Sequence, residues 1–91
     1  MLNKARVEIY TAPLCLYCIR AKSLLANRGV HYVEYDVGDS RDARFKMSER
    51  ANGNSSVPQI FIDGNCIGGS DELAELDRLG KLEDLLNTSL T

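Results

Sequence analysis

Residues 7–18 read VEIYTAPLCLYC. From Val7 to Thr11 the residues are β-branched, aromatic or alternating in polarity, and Pro13, with its fixed φ, sets the turn that follows, so the segment predicts a strand. From about Leu16 to Arg28 the pattern becomes helical: Cys18, Ala21, Leu24 and Leu25 recur at spacings of three, three and one, and Gly29 is placed to end the helix. Cys15 and Cys18 therefore fall where a strand hands over to a helix.

Working outward, Val30 to Val37 is rich in Val and Tyr and predicts a second strand, followed by the turn residues Gly38, Asp39 and Ser40. The charged segment from about Ser40 to Ala51, with Ala43, Phe45 and Met47 as its few apolar residues, predicts a helix with much of its surface exposed. Asn52 to Ser56 form a polar loop. Pro58 to Ile62 predict a third strand, and Asp63-Gly64 signals a hairpin to a fourth at about Asn65 to Ile67. After Gly68 and Gly69, Ser70 is an N-cap candidate with Asp71 and Glu72 in the first turn, where the helix dipole favours acids. Leu73, Leu76 and Leu79 supply that helix's stripe up to Gly80, Leu82, Leu85 and Leu86 a short last helix, and a frayed polar tail is expected from Asn87. The order β-α-β-α-β-β-α-α is an α/β chain, its first half a βαβ unit with a right-handed parallel crossover and its second an antiparallel hairpin. A four-stranded mixed sheet flanked by helices is expected.

Ninety-one residues hold one hydrophobic core, which predicts a single domain over residues 1–91. With 44% hydrophobic and 26% charged residues, and only two prolines beside seven glycines, the balance is that of a folding, soluble chain rather than a disordered one. Thirteen acidic against eleven basic side chains leave a net charge of −2, so no positive field gathers phosphates and nucleic-acid binding is not expected. No apolar run approaches the roughly 20 residues that span a bilayer, and Met1 to Arg6 lead into a strand without a signal-peptide pattern. A cytoplasmic protein without membrane attachment is expected. Three cysteines cannot all pair within one chain, and two lie three residues apart, which favours redox or metal chemistry over a secreted disulfide framework.

A cysteine at a helix N-terminus faces unpaired backbone N–H groups and the positive end of the macrodipole, both of which favour its thiolate. Cys15 is accordingly the expected nucleophile, forming a mixed disulfide, and Cys18, on the same helix face and less exposed, is placed to resolve it. Two other readings of the pair stand beside this one. It could be half of a zinc site, although only Cys66 and His31 remain as further ligands, or it could be two small apolar core residues.

Three ordered motifs carry a resemblance: Cys15-Leu16-Tyr17-Cys18 after the strand ending at Thr11, then Ser56-Val57-Pro58-Gln59-Ile60-Phe61-Ile62, then Gly68-Gly69-Ser70-Asp71. Together they resemble a glutaredoxin of the dithiol type, in the thioredoxin-fold superfamily, almost end to end. Thioredoxins are less similar, since they carry a Trp before a Cys-Gly-Pro-Cys site and this chain has no Trp. The resemblance implies a glutathione-dependent thiol-disulfide oxidoreductase that reduces protein-glutathione mixed disulfides and disulfides, with Cys15 and Cys18 catalytic. Glutathione would be the reducing co-substrate, regenerated by an NADPH-dependent reductase, with no cofactor bound for turnover. Glutathionylated or disulfide-containing proteins would be its partners, and a monomer is expected.

By the same resemblance Pro58 is similar to a cis-proline facing the cysteines, and it would present the Val57 backbone for strand-like pairing with glutathione. Gly69, Ser70 and Asp71 would receive the γ-glutamyl end, by close backbone approach, helix N–H donors and the Asp71 carboxylate. Tyr17 would pack against the bound peptide. Gln59 would donate to the glycine carboxylate, or equally face solvent from its strand. Arg44 could steer the same carboxylate, yet Arg41, Lys46 and Arg50 share its segment and such a charge run usually marks a solvated face.

The chain departs from the family at two positions near the cysteines. Ala12 stands where a lysine often follows the threonine, so the Cys15 thiolate rests more on the helix terminus than on a cation. Leu16 replaces the proline between the cysteines, a change that shifts redox potential and bears on an alternative function, a [2Fe-2S] cluster carried between two subunits. Cys66 is an extra thiol, read as a buried small hydrophobe or else a site of glutathionylation or dimer formation.

Overall fold

The computed structural model describes residues 4–87. Eight elements follow one another: β1 (Val7–Thr11), α1 (Leu16–Asn27), β2 (Val33–Asp36), α2 (Arg41–Arg50), β3 (Gln59–Ile62), β4 (Asn65–Gly68), α3 (Ser70–Arg78) and α4 (Lys81–Asn87). The strands form one four-stranded sheet in the order β2-β1-β3-β4, with β2 parallel to β1 and the other two pairs antiparallel. This is the mixed sheet and element order that the sequence pattern predicts.

The alternation in β1 and β3 divides two different surfaces. Val7, Ile9, Ile60 and Ile62 join Ala21 and Leu25 of α1, Leu73 of α3, and Leu82 and Leu86 of α4 in one apolar core. On the alternate positions Glu8 pairs with Phe61 and Tyr10 with Gln59 across β1 and β3. There α2 returns to the sheet through a charged residue: Arg50 donates to both carboxylate oxygens of Glu8, at 3.0 and 3.1 Å, and to the Tyr10 hydroxyl at 2.7 Å. Its guanidinium also lies over the Phe61 ring, 4.2 Å from the centroid, a cation-π contact. Arg50 thus stays partly exposed, as its charge run suggests, yet its guanidinium is fixed to the sheet. With Met47, the buried side chain of α2, it holds a helix that has almost no apolar stripe of its own.

Element ends differ from the sequence reading where backbone donors are used elsewhere. Val30 begins no strand, because its N–H bonds the Leu25 carbonyl and completes the end of α1, with Gly29 at φ 68° as the sign of a left-handed helix stop. The second strand is therefore only Val33–Asp36, although Val37 N–H still reaches Thr11 O at 2.9 Å. Strand β3 starts at Gln59 rather than Pro58, which has no N–H to give. Asp63 and Gly64, both at positive φ, turn the chain into β4, which runs on to Gly68. Ser70 is not the N-cap of α3 but its first residue. Gly69 caps, and the Glu72 carboxylate accepts its N–H at 2.7 Å. Leu79 and Leu85, expected in apolar stripes, are exposed, since α3 stops at Arg78 and only Leu82 and Leu86 of α4 face the core. Asn87 is the last residue of α4, and the polar tail expected beyond it lies outside the described residues.

Candidate active site at the start of the first helix

Strand β1 delivers the chain to a short loop, residues 12–15, that ends on the first turn of α1. One glycine fixes the loop's position from outside. A Cβ on Gly38 would sit 2.3 Å from Pro13 Cδ, so the β2-α2 turn packs against Pro13 only because residue 38 has no side chain. Leu14 takes φ 58° and is fully exposed, bringing Cys15 round to the N-cap of α1.

At that N-cap the Cys15 sulfur accepts the Cys18 backbone N–H at 3.1 Å, as a serine or aspartate oxygen does elsewhere. The Cys15 thiol also points to the Val57 carbonyl, 3.9 Å away. Cys15 is half-buried, whereas Cys18, one turn into the helix, is only 1% exposed. Burial pushes the Cys18 thiol up to about 11, and its hydrogen bond with Cys15 acts in the same direction. The two thiols are thus unequal, one at the surface and one inside, and they are not joined in a disulfide.

The Val57-Pro58 bond is cis, as the resemblance implies for Pro58. Beside it opens a cleft of about 250 Å³, whose walls include Tyr17, Val57, Pro58, Gln59, Gly69, Ser70 and Asp71. Seven positions taken from three separated stretches of sequence therefore meet in one place. Asn54, Ser56 and Glu72 complete the lining. None of the three was assigned to the site from sequence, although Ser56 opens the second motif and the spacing of Glu72 from Gly69, an acid three residues after a cap, signals its position. Gly68, at φ 114°, lets the chain enter α3 against Glu72, whose Oε1 would lie 2.8 Å from an added Cβ.

Not every expected side chain faces outward. Gln59 is 1% exposed, so it is not a solvent-facing strand residue. Its amide nitrogen donates to Ser56 O at 3.0 Å, and its oxygen accepts from the Cys66 thiol at 3.6 Å. Cys66 is half-buried in that contact. Tyr17 is exposed, with the Arg20 guanidinium 5.4 Å from its ring centroid. Arg44 of α2 is not among the cleft-lining residues, and its Nε is buried without a hydrogen-bond partner. Among the described residues no three His, Cys, Asp or Glu side chains gather as metal ligands, and no helix is long and apolar enough to cross a membrane.

A second polar group joins α1 to the first two strands. Thr11, the last residue of β1, donates its hydroxyl to Glu34 Oε2 at 2.7 Å, and the same oxygen receives Lys22 Nζ at 2.9 Å. These contacts lower the Glu34 carboxyl, by the Thr11 hydrogen bond first and that of Lys22 second, and Glu34 in turn raises Lys22.

Comparison with known proteins matches the glutaredoxin family model to residues 7–67. A probable glutaredoxin of Synechocystis sp. is 47% identical over 88 residues, covering 97% of this chain and 100% of that protein. The solution structure of glutaredoxin from Brucella melitensis is 45% identical, with a TM-score of 0.80 over 94% of each chain. A buckwheat glutaredoxin-glutathione complex is 30% identical and has a TM-score of 0.80, covering 92% of this chain and 78% of that one.

Proposed function

The chain belongs to the glutaredoxin family of thiol-disulfide oxidoreductases, and from that premise we propose that it reduces protein-glutathione mixed disulfides and protein disulfides at the expense of glutathione. The observation that carries this reading is the Cys15 sulfur at the N-cap of α1, accepting the Cys18 N–H and facing the Val57 carbonyl beside the cleft. Cys15 attacks the glutathione sulfur of a mixed disulfide as the thiolate, and the protein thiol leaves. The helix N-terminus and the Cys18 N–H face the charge on Cys15. A second glutathione then releases Cys15. With a protein disulfide, Cys18 instead displaces the substrate sulfur and closes the Cys15-Cys18 disulfide, which glutathione reopens. Burial keeps Cys18 a neutral thiol while the monothiol half runs.

In this proposal the glutathione occupies the cleft. Ionisation of Cys15 removes its S–H from the Val57 carbonyl, leaving that C=O and the Val57 N–H to pair with an extended peptide as an added strand would. Pro58 presents that backbone and Tyr17 covers the bound peptide. Gly69, Ser70 and Asp71 receive the γ-glutamyl end at the start of α3. Gln59 acts from beneath, holding Ser56 beside Val57, rather than by reaching the ligand with an amide already engaged at both ends. Arg44, which does not line the cleft and whose Nε is buried, is given no contact with the ligand. The buckwheat complex supports glutathione as the ligand. We place the activity in the reducing cytoplasm, carried by one domain acting as a monomer, with no cofactor bound for turnover.

The test is glutathione-dependent reduction of a mixed disulfide, coupled to NADPH oxidation through glutathione reductase, with Cys15→Ser and Cys18→Ser compared with the wild type. Cys15→Ser is expected to abolish turnover. Cys18→Ser is expected to keep the mixed-disulfide reaction and lose reduction of protein disulfides. An inactive wild type, or an active Cys15→Ser, overturns the proposal.

A further inference from the structure

The resolving half of the dithiol cycle asks for a charge that Cys18 resists. In that step the Cys18 sulfur attacks Cys15 of a mixed disulfide Cys15–S–S–R. The Cys15–Cys18 bond forms, the bond to R breaks, and the electron pair leaves on the R thiolate; the proton given up by Cys18 passes to that thiolate or to solvent. Cys18 must therefore ionise while buried, against the desolvation and the Cys15 hydrogen bond that hold its proton in place. Two groups act in the other direction: the Ala12 backbone and the Lys22 ammonium.

Lys22 lies four residues after Cys18 on α1, a spacing that puts both on one helix face. It is not a free surface cation. Its Nζ is 2.9 Å from Glu34 on β2, and Glu34 is tied in turn to the buried Thr11 hydroxyl at the end of β1, 2.7 Å away. The Lys22 and Glu34 side chains are 32% and 36% exposed, so the ion pair is partly withdrawn from water and only partly screened. The ammonium is thus anchored to β2 directly and, through Glu34, to Thr11 at the end of β1.

We propose that Lys22, held by Glu34 and Thr11, is a positioning residue for the resolving step, its ammonium stabilising the thiolate that forms on Cys18. The inference rests on the dithiol reading above. The titratable groups that act on Cys18 are Cys15 at the start of α1 and Lys22 in its second turn; Glu34 and Tyr32, from β2 and the segment before it, act on Lys22.

The experiment isolates ring closure. In a Cys66→Ser background, Cys15 is loaded as a mixed disulfide with thionitrobenzoate at about pH 4. The sample is then jumped to values between about pH 6 and about pH 9, and closure is read as release of the coloured thiol. Lys22→Gln and Lys22→Met are expected to slow closure about threefold throughout that range, the scale of one partly screened charge, and high salt to narrow the gap. Lys22→Arg is expected to restore the wild-type curve. Rate-pH curves of Lys22→Gln and Lys22→Met that superimpose on the wild type overturn the inference, as does Lys22→Arg closing as slowly as the neutral variants. A wild type that never closes refutes the dithiol reading itself, and this inference with it; a wild type that closes at the same rate as the neutral variants refutes this inference alone.

Discussion

Replacing Arg50 by methionine removes the charged side chain that, with the buried Met47, ties α2 to the sheet, and leaves Glu8 behind. The Glu8 side chain is 9% exposed, and it loses two hydrogen bonds and the nearest positive charge at once. Breaking a fully buried pair from one side costs about 3–5 kcal/mol. Here the Arg50 side chain is 34% exposed, and Glu8 keeps the Tyr35 hydroxyl at 3.0 Å, so about 2–3 kcal/mol is expected at pH 7. For a domain of this size that is a fall in Tm of about 10–20 °C. The pH dependence separates a lost charge pair from lost packing. In the wild type the Arg50 hydrogen bond, first among several causes, holds the Glu8 carboxyl below its ordinary 4.5, so this stability is present above that pH and is lost as pH falls through the folded value. In Arg50→Met, Glu8 is left with only Arg6, at 3.9 Å, and the Tyr35 hydroxyl, so its carboxyl rises from the wild-type value and protonation relieves part of the penalty. Urea unfolding at pH 7 and at about pH 4 should therefore show the difference between variant and wild type shrinking with acid, and Glu8→Gln in the Arg50→Met background should recover part of the loss. A penalty below about 0.5 kcal/mol, or one that does not change between the two pH values, would refute the reasoning.

Three further outcomes are expected. At neutral pH iodoacetamide should label Cys15 before Cys18, as followed by peptide mass spectrometry, because Cys18 is buried and its thiol lies near 11. The same raised thiol favours the folded state fully below about pH 9, and that contribution disappears as pH climbs through about 11; the two-unit difference corresponds to about 3 kcal/mol, so Cys18→Ala should flatten the alkaline limb of a stability-pH curve. Gly38→Ala should destabilise by about 2 kcal/mol and lower turnover with it, since the new methyl group meets Pro13 at 2.3 Å and must displace the loop that carries Cys15; unchanged urea unfolding and turnover would count against that packing.

The order of elements was readable because two periods, two for strands and between three and four for helices, are written locally and punctuated by Pro13, Gly29 and Asp63-Gly64. The pairing of Cys15 and Cys18 at a strand-helix junction was equally local, and chemistry at a helix end needs only nearby backbone. The cleft was legible through the three motifs, although its closure by Asn54 and Glu72 was not. Gln59 shows where such reading stops: the same residue serves as an outward donor or an inward brace, and the choice depends on Ser56 and Cys66 arriving beneath it.

By itself, then, the amino-acid sequence determined the succession of strands and helices and the unequal thiols at the head of α1, since both follow from φ restrictions, side-chain period and backbone donors within one or two turns. Tertiary structure alone decided which charges are held in place. Arg50 looks like any other member of a charged helix until Glu8, Tyr10 and Phe61, from strands distant in the chain, surround its guanidinium. Lys22 acquires a fixed place only when β2 lies parallel to β1 and brings Glu34 beside Thr11. Local propensity does not encode desolvation, which is set by what the rest of the chain lays over a side chain.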